Sequence, residues 1–370
     1  MTKISRTTDM TQGSEMRHII MFSLPLLAGN LLQQTYNIVD TMVVGRYLGD
    51  DALAAVGATG SITYLFYTLC IGLSVGAGII VAQYFGAGKK KALRSAVFNS
   101  ALVTAIFGIV ISLLSVPAAR PILELLKVPD KLIGDSVAYM QIACGGTIAV
   151  AAYNWINAIM RALGDSKTPL IFLGAASLLN ALLDLLFVVV FKFGIAGAAW
   201  ATVLTQALSA ISCIVYCFAV SGEIKLTADD LHADKDMMSR CVKTGVPIAI
   251  QNGLISVSMV ALQRVTNGFG ETVMAAYTVS MRIEQFVQQP FSSLNAAVST
   301  FTGQNIGAGK EKRAQKGLAC AIKISVIFSA VVLVLFTLFG GAITSWFVNG
   351  KTVISISAKA LIITSLFYWS

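Results

Sequence analysis

Long apolar stretches alternate with short polar links along the whole chain. Each stretch is long enough for a bilayer-spanning helix, which needs about 20 mostly apolar residues. The pattern predicts ten spans, at 17–46, 52–84, 94–118, 132–160, 168–191, 194–221, 240–267, 273–304, 317–346 and from about 355 onward. The links are polar or contain glycine, as in "GAGKKKALR" at 86–94 and "RALGDSKTP" at 161–169.

The sequence also contains an internal repeat. The stretch "AQYFGAGKKKA" at 82–92 aligns with "GQNIGAGKEKR" at 303–313, with 6 identities in 11 positions at a spacing of 221. Pro25 and Asn30 recur as Pro247 and Asn252. Both GAGK copies follow an even-numbered span, so both lie on one side of the membrane. This indicates a parallel repeat about an axis along the membrane normal, an arrangement typical of secondary transporters.

The repeat predicts an all-α polytopic membrane protein of two six-helix lobes related by a pseudo-two-fold axis. We expect an N-lobe at 1–221 with helices 1–6, a charged cytoplasmic inter-lobe linker at 222–239 and a C-lobe at 240–370. A second copy of full length would extend beyond Ser370, so we expect an incomplete C-lobe and about nine and a half of twelve helices.

Composition supports the membrane interpretation. The chain has 370 residues, of which 56% are hydrophobic and 12% charged, and its net charge is +9. A basic balance can indicate nucleic-acid binding, but here 18 of the 27 Lys and Arg fall on the side of the N-terminus and 6 on the other. The positive-inside rule therefore predicts a multi-pass cytoplasmic (inner) membrane protein with a cytoplasmic N-terminus, the bilayer as partner and no nucleic acid.

Two motif classes are excluded at this stage. A phosphate-binding loop requires G-x-x-x-x-G-K-[ST] after a strand, whereas GAGK lies between helices and Lys89 is followed by Lys90. The six cysteines show no metal-ligand spacing, and His18 and His232 lie far apart, so we expect neither a metal site nor a cofactor. No nucleophile–base pair emerges, and an enzyme is the least favoured class.

Charged residues inside the spans are few, and Asp40 is the most informative. An intramembrane charge costs about 2.5–3.5 kcal/mol at the bilayer centre, so such residues suggest function unless they are structurally paired. Gln33, Asn37 and Asp40 share one helix face through spacings of four and three. This face forms either a polar seam between helices or the wall of a water-accessible cavity. The second repeat has no acid at the matching position, which favours the cavity.

Asp184 follows Asn180 by four residues on one face of the fifth span. A carboxyl group in an apolar site favours its neutral form, and two such groups brought together favour it further. The pair could therefore take up and release a proton, or bind Na⁺ with Asn180 and a hydroxyl group. The alternative is a buried, hydrogen-bonded Asp184 with no transport role.

The eighth span carries Arg282, Glu284 and Gln288, with Glu284 and Gln288 on one face. A structural ion pair and a functional role for Glu284 are equally compatible with this pattern. The substrate-cavity candidates taken together are Gln33, Gln34, Tyr36, Asn37, Tyr139, Asn154, Asn157, Arg282, Glu284 and Gln288.

The chain resembles the multidrug and toxin extrusion (MATE) family of twelve-helix, cation-coupled exporters. The resemblance rests on "LPLLAGNLLQQTYNIVDTMVVGRYLGDDALAAVG", "VAQYFGAGKKKALRSA", "RALGDSKTP" and "TGQNIGAGKEKRAQKG". It implies an N-lobe cation site at Asp40, Asn180, Asp184 and Thr202. The seventh span has no acidic residue, which disfavours a sodium site in the C-lobe. An acidic residue in the eighth span, here Glu284, resembles the pattern of the bacterial DinF-like and MepA-like branches of the family.

The resemblance implies a monomeric antiporter, coupled to H⁺ or Na⁺, that exports bulky organic cationic or amphipathic molecules by rocking of the two lobes. The alternative is a lipid or lipid-linked oligosaccharide flippase of related architecture, for which a more basic cavity would be expected. A non-transporting membrane receptor or scaffold is a third possibility, disfavoured by the repeat and the buried carboxylates.

Overall fold

A computed structural model describes residues 7–220 and 222–368, and in these residues it contains helices and no strand. Eleven α-helices follow one another in the described chain. They are α1 Glu15–Leu48, α2 Asp50–Gly86, α3 Lys90–Leu125, α4 Asp130–Gly145, α5 Thr147–Ala162, α6 Lys167–Asp184, α7 Gly194–Val220, α8 Lys235–Asn267, α9 Glu271–Gly307, α10 Glu311–Ser345 and α11 Lys351–Ser365. The all-α fold predicted from the sequence is thereby confirmed. The predicted limits at residues 1, 221 and 370 lie outside the described part.

Each predicted span corresponds to a helix, with two differences in detail. The fourth span is a pair, α4 and α5, bent by 43° where Gly146 separates them. The fifth span continues from α6 into a π-helical turn at Leu185–Val190. Within the described residues, 6 helices are long and apolar enough to cross a membrane, and the bent pair makes up to 7. The polar-striped α1 and α9 are not among them.

The predicted linker at 222–239 ends earlier than expected, because α8 begins at Lys235. Asp234 starts this helix, since its carboxylate accepts hydrogen bonds from the backbone N–H of Asp236 at 2.9 Å and of Met237 at 3.2 Å. The remaining linker is fixed to α3. The Asn99 amide donates to the His232 carbonyl at 3.1 Å and accepts from the Asp234 N–H at 2.8 Å.

The helices meet most closely at one end of the bundle, which carries the GAGK loops and the linker and is called here the basic end. Gly72 and Gly76 of α2 lie directly against the α8 backbone at Ala249 and Gly245. A Cβ atom at Gly76 would come within 2.5 Å of the Gly245 Cα. Such contacts between backbones require glycine, because any larger side chain would force the helices apart.

Toward the opposite end, α8 presents exposed apolar side chains, among them Leu254 and Leu262, to an open groove that it shares with α9. The described helices are therefore closely packed at the basic end, and a groove lies between α8 and α9 beyond it.

The segment before α1, residues 8–14, crosses the basic end. It joins the end of α5, in the first seven helices, to α9, in the remaining four. The Thr8 N–H donates to the Leu163 carbonyl at 3.3 Å, next to the end of α5. The Met10 N–H donates to Gln304 of α9 at 2.9 Å, and the Met10 side chain is fully buried. Gln304 in turn donates to the Ala162 carbonyl at 2.9 Å. One short segment thus bridges the helices on both sides of the closed end.

Candidate functional site

A cavity of about 390 Å³ lies among α1, α2, α4, α5, α6 and α7. Polar side chains from several of these helices face it, which is unusual for a wall inside a bilayer. These side chains are Asn30, Gln33, Tyr36, Asn37, Asp40, Thr63, Tyr64, Tyr67, Tyr139, Tyr153, Asn154, Asn157, Arg161, Ser166, Thr202 and Gln206. The cavity is therefore a polar chamber within the first seven helices.

The stripe on α1 lines this chamber. Gln33, Asn37 and Asp40 all face it, as their helical spacing predicts. At the basic end of the stripe, the Asn30 amide donates to the Ser293 hydroxyl of α9 at 3.0 Å. The stripe thus begins at a contact between α1 and α9, made by Asn30, and ends at the carboxylate of Asp40.

Asp40 and Asp184 face each other within hydrogen-bonding reach. Asp184 is fully buried, and neither of its carboxylate oxygens has a further hydrogen-bond partner in the described chain. One oxygen of Asp40 is also buried without such a partner. Two buried carboxylates at this separation repel each other unless a proton or a cation lies between them. The geometry therefore places buried acceptor oxygens side by side with no donor between them in the described residues.

Asn180 and Thr202 complete the set of oxygen-bearing side chains around this pair. Asn180 is 2% exposed, and its amide nitrogen has no partner in the described residues. The Thr202 hydroxyl donates to the Ala198 carbonyl at 3.2 Å, which leaves the oxygen free to accept. Both residues line a smaller pocket of about 40 Å³ between α6 and α7, which also touches Tyr36 and Gln206. Oxygen ligands of this kind suit a hard monovalent cation as well as water.

Two tyrosines lie near the pair, since Tyr36 and Tyr139 are each electrostatic neighbours of Asp40 and Asp184. Tyr153 is in turn a neighbour of Tyr36 and of Arg161. Phenol hydroxyl groups can donate hydrogen bonds to an ionised carboxylate and accept them from water or a cationic substrate. Tyr36 and Tyr139 therefore bring phenol groups of the chamber wall close to the carboxylates.

The remaining predicted cavity residues divide into two sets. Tyr139, Asn154 and Asn157 line the chamber as expected, and the Asn154 amide donates to the Val150 carbonyl at 2.8 Å. Gln34, Arg282 and Gln288 do not line this chamber, and their contact with substrate stays a prediction. Each lies on another face or another helix: Gln34 is one position away from the stripe on α1, and the other two belong to α9, outside the six helices that enclose the chamber.

Glu284 also lies outside the chamber, because it lines the open groove of about 810 Å³ between α8 and α9. Its carboxyl group is within hydrogen-bonding reach of Thr364 and Tyr368, beside α11. No Lys or Arg pairs with it in the described chain, so the ion pair considered from the sequence does not form.

Sequence reasoning missed Arg161, Ser166 and Tyr67 as chamber residues. Arg161 stands in the polar link "RALGDSKTP", and Tyr67 donates to the Ala143 carbonyl at 3.0 Å. A signal for Arg161 existed, because Tyr153, Asn157 and Arg161 follow at spacings of four and share one face of α5. Among the described residues there is no group of three or more His, Cys, Asp or Glu that could hold a metal.

Comparison with known proteins identifies relatives across nearly the whole chain. The MatE family model matches residues 25–186 and 247–370. The probable multidrug resistance protein YpnP of Bacillus subtilis is 31% identical over 82% of this chain and 68% of its own length. The probable multidrug resistance protein YoeA of the same organism is 31% identical over 97% of this chain and 79% of its own. The multidrug export protein MepA of Staphylococcus saprophyticus is 23% identical over 95% of this chain and 78% of its own.

Solved structures share the fold. A crystal structure of a MATE protein in the straight conformation superposes with a TM-score of 0.89 at 24% identity, covering 98% of this chain and 82% of the other. A structure described as the outward-facing conformation of a multidrug resistance MATE family transporter gives a TM-score of 0.90 at 24% identity, covering 98% of this chain and 82% of its own. At this identity the likeness concerns the fold alone.

Proposed function

The chain belongs to the multidrug and toxin extrusion family, and from that premise we propose that it exports organic molecules by exchange with H⁺ or Na⁺. The relatives at 31% identity are named as multidrug resistance proteins, which supports drug efflux as the general activity. An enzymatic activity is not expected, since members of this family are transporters.

The proposal of coupling to H⁺ or Na⁺ rests on one observation, that the carboxyl groups of Asp40 and Asp184 face each other. Their unpartnered oxygens need a proton or Na⁺ between them, and both cations neutralise the end of the chamber in which they bind. A cationic substrate competes for the same negative charge. Loading with the coupling ion therefore weakens the hold on substrate, and release of the ion restores it. This reciprocity is what exchange transport requires.

The close packing at the basic end and the groove between α8 and α9 support one state of a transport cycle. The positive-inside rule favours a cytoplasmic basic end in a chain held by the inner membrane. In this proposal the groove then faces the outside. Alternating access follows if the first seven helices and the remaining four rock about the pseudo-axis, so that the glycine contacts at the basic end part while the groove closes.

The charge of the chamber also helps to distinguish an exporter of organic cations from a lipid flippase. A flippase for a lipid-linked pyrophosphate would be expected to hold several cations around its ligand. This chamber has one Arg and a carboxylate at its wall, with Asp184 behind them. The charges in the chamber favour a substrate that is an organic cation, or one that carries a positive and a negative group.

Efflux of ethidium from cells tests the proposal, with the pH gradient and the Na⁺ gradient collapsed separately. The expected result is export by the wild-type chain that stops when one of the two gradients is removed. Asp40→Asn should abolish export while the protein remains in the membrane. Export by wild type that survives loss of both gradients, or full export by Asp40→Asn, would refute coupling at this site.

A further inference from the structure

The smaller pocket of about 40 Å³ between α6 and α7 is lined by polar side chains that the coupling proposal does not use. On α7 these are Thr205, Gln206 and Ser209, which share one helix face with Thr202. Because α7 ends at Val220, where the linker of the basic end follows, Ser209 lies about 10 Å nearer that end than Thr202. Thr202 and Gln206 line both the pocket and the chamber, so the pocket is a side branch that leads toward the basic end.

The hydroxyl groups of Thr205 and Ser209 are not satisfied by their own helix. A serine or threonine inside a helix can donate to the carbonyl four residues before it, as Ser177 across the pocket does to Leu173 at 2.8 Å. Thr205 is 4% exposed and Ser209 is 7% exposed, yet neither hydroxyl has a hydrogen-bond partner in the described chain. Both line the pocket instead.

Two amide groups on the pocket wall are in the same situation. The nitrogen of the Asn180 side chain and the oxygen of the Gln206 side chain are buried and have no partner in the described residues. Buried polar groups in folded proteins are almost always hydrogen-bonded to protein or to water. Four such groups around one small pocket therefore indicate a shared polar occupant. Of the described residues that line the pocket, none is charged, which favours a neutral occupant over a cation.

Water fits the pocket in size and in chemistry. A buried water needs about 10–15 Å³ and two to four polar partners, so a pocket of about 40 Å³ holds about three waters. Water and hydroxyl groups both donate and accept hydrogen bonds, so a connected row of them can pass a proton along. Asn180 precedes Asp184 by one helical turn on the same face of α6, which places one end of the row at the carboxylate pair.

The polar row stops at an apolar contact before it reaches the basic end. Cys213 follows Ser209 by one helical turn, and its sulfur lies 3.2 Å from the sulfur of Met160 on α5. Both side chains are buried in the apolar core that α2, α3, α5 and α7 share. A proton path open at both ends would dissipate the gradient that drives exchange, so alternating access requires such a barrier in any one state.

We infer that the pocket between α6 and α7 binds about three ordered waters, and that these waters and the hydroxyl groups of Thr205 and Ser209 carry the coupling proton between the carboxylate pair and the basic end. Asp184 gives its proton to a water and is left ionised. Each water or hydroxyl accepts one proton and passes on another, so only O–H bonds form and break. The inference rests on the proposed export function with H⁺ as the coupling ion, and it separates the path of the proton from that of the substrate.

Two measurements on the purified protein test this. Crystal structures of wild type and variants, at a resolution that shows waters, report the contents of the pocket. Proteoliposomes report ethidium accumulation driven by a pH gradient and ethidium exchange at equal concentrations. Thr205→Val and Ser209→Ala each remove one hydroxyl at little change in size, and Thr205→Ser keeps it. Ser212→Ala is the matched control, because Ser212 is an exposed residue of α7 that does not line the pocket.

Waters bonded to both hydroxyls are expected in wild type. Thr205→Val and Ser209→Ala should each slow H⁺-driven accumulation by about tenfold, the effect of one lost hydrogen-bonded link. Exchange moves no net proton, so it should keep its wild-type rate. Thr205→Ser and Ser212→Ala should match wild type in both assays. The slowing in D₂O should be larger for Thr205→Val than for wild type, because proton transfer then limits the rate.

A wild-type pocket without water would overturn the inference, and this holds even if neither variant reaches the membrane. Accumulation at the wild-type rate in both hydroxyl-free variants would overturn it as well. Equal slowing of accumulation and exchange would show that the hydroxyls only support the structure. Export by wild type that follows the Na⁺ gradient and ignores the pH gradient contradicts the inference and leaves the proposed export intact. Absence of export with either gradient contradicts the proposed function itself.

Discussion

Gly86 of α2 and Gly307 of α9 lie at equivalent places in the repeat, and each packs against the glutamine of the other copy. A Cβ atom at Gly86 would overlap the Gln304 carbonyl, and one at Gly307 would overlap the Gln83 carbonyl. The contact is thus two-fold symmetric within one chain. The second glycines of the two GAGK loops, Gly88 and Gly309, have φ of +67° and +71° and end the two helices in the left-handed conformation.

The GAGK loops are therefore explained by packing and turn geometry, which replaces any phosphate-binding interpretation. The first glycine permits the crossing and the second permits the turn. The repeat detected in the sequence is strongest at the point where the two copies touch.

Gly86→Ala should destabilise the closed basic end. Overpacking of a tight backbone contact costs about 1–3 kcal/mol, so the melting temperature in detergent should fall. Gly60→Ala, in the same helix with open space around it, is the matched control and should stabilise by a few tenths to about 1 kcal/mol. A Gly86→Ala melting temperature equal to or above that of Gly60→Ala would show that α2 and α9 do not cross closely.

Gln304→Ala should release the segment before α1. The Met10 N–H loses its acceptor, and the Ala162 carbonyl loses the donor that Gln304 supplies. Hydrogen exchange at the Met10 amide should become at least about tenfold faster, as expected when a buried hydrogen bond of about 1.5 kcal/mol is removed. Gln315→Ala, an exposed change on α10, should leave that amide unaffected. Equal exchange in both variants would show that the segment does not bridge the helices.

Asp230→Asn should weaken attachment of the linker to α3 in a pH-dependent manner. The pKa of Asp230 lies below its usual range, because its carboxylate accepts hydrogen bonds from the Thr227 N–H and hydroxyl and lies near Arg94. A lowered folded pKa stabilises the fold above the ordinary value, and this stabilisation is lost as the pH falls. Wild type should therefore melt higher than Asp230→Asn at pH 7, and the difference should shrink as the pH falls below the ordinary pKa of aspartate.

The control for this experiment is Asp236→Asn, an exposed substitution at the start of α8. It should give a smaller difference from wild type with no comparable loss at low pH. A gap between wild type and Asp230→Asn that stays constant from pH 7 to pH 3 would contradict the anchoring role of the ionised carboxylate.

The sequence predicted the helices well because hydrophobic length is a local property. It also predicted the face containing Gln33, Asn37 and Asp40, since helical spacing alone decides which residues share a face. The partner of Asp40 was suggested by Asp184 following Asn180, and their approach depends on how α1 packs against α6.

Tertiary packing explains the misses. Gln34, Arg282 and Gln288 are polar residues near the right depth, yet the rotation of α1 and the position of α9 keep them away from the chamber. Arg161 looked like a loop cation because it stands next to a polar link. The bend at Gly146 depends on contacts that a single sequence pattern does not contain. The helical start at Lys235, by contrast, has a local signal in the Asp234 cap.

The central claim is that Asp40 and Asp184 together bind the coupling cation. Each aspartate replaced by asparagine removes a charge but keeps the shape, so ethidium exchange between equal, saturating concentrations on both sides should persist, with a raised KM because the hold on a cation is weaker. Transport against a substrate gradient, driven by an imposed H⁺ or Na⁺ gradient, should be lost because nothing then couples the two flows. Asp135→Asn, an exposed change on α4, should behave like wild type.

The most direct measurement is ethidium transport in proteoliposomes, with gradient-driven accumulation and equilibrium exchange recorded for wild type, Asp40→Asn, Asp184→Asn and Asp135→Asn. The predicted result is accumulation by wild type and Asp135→Asn only, with exchange retained by all four. Gradient-driven accumulation that persists in either Asp40→Asn or Asp184→Asn would contradict the claim.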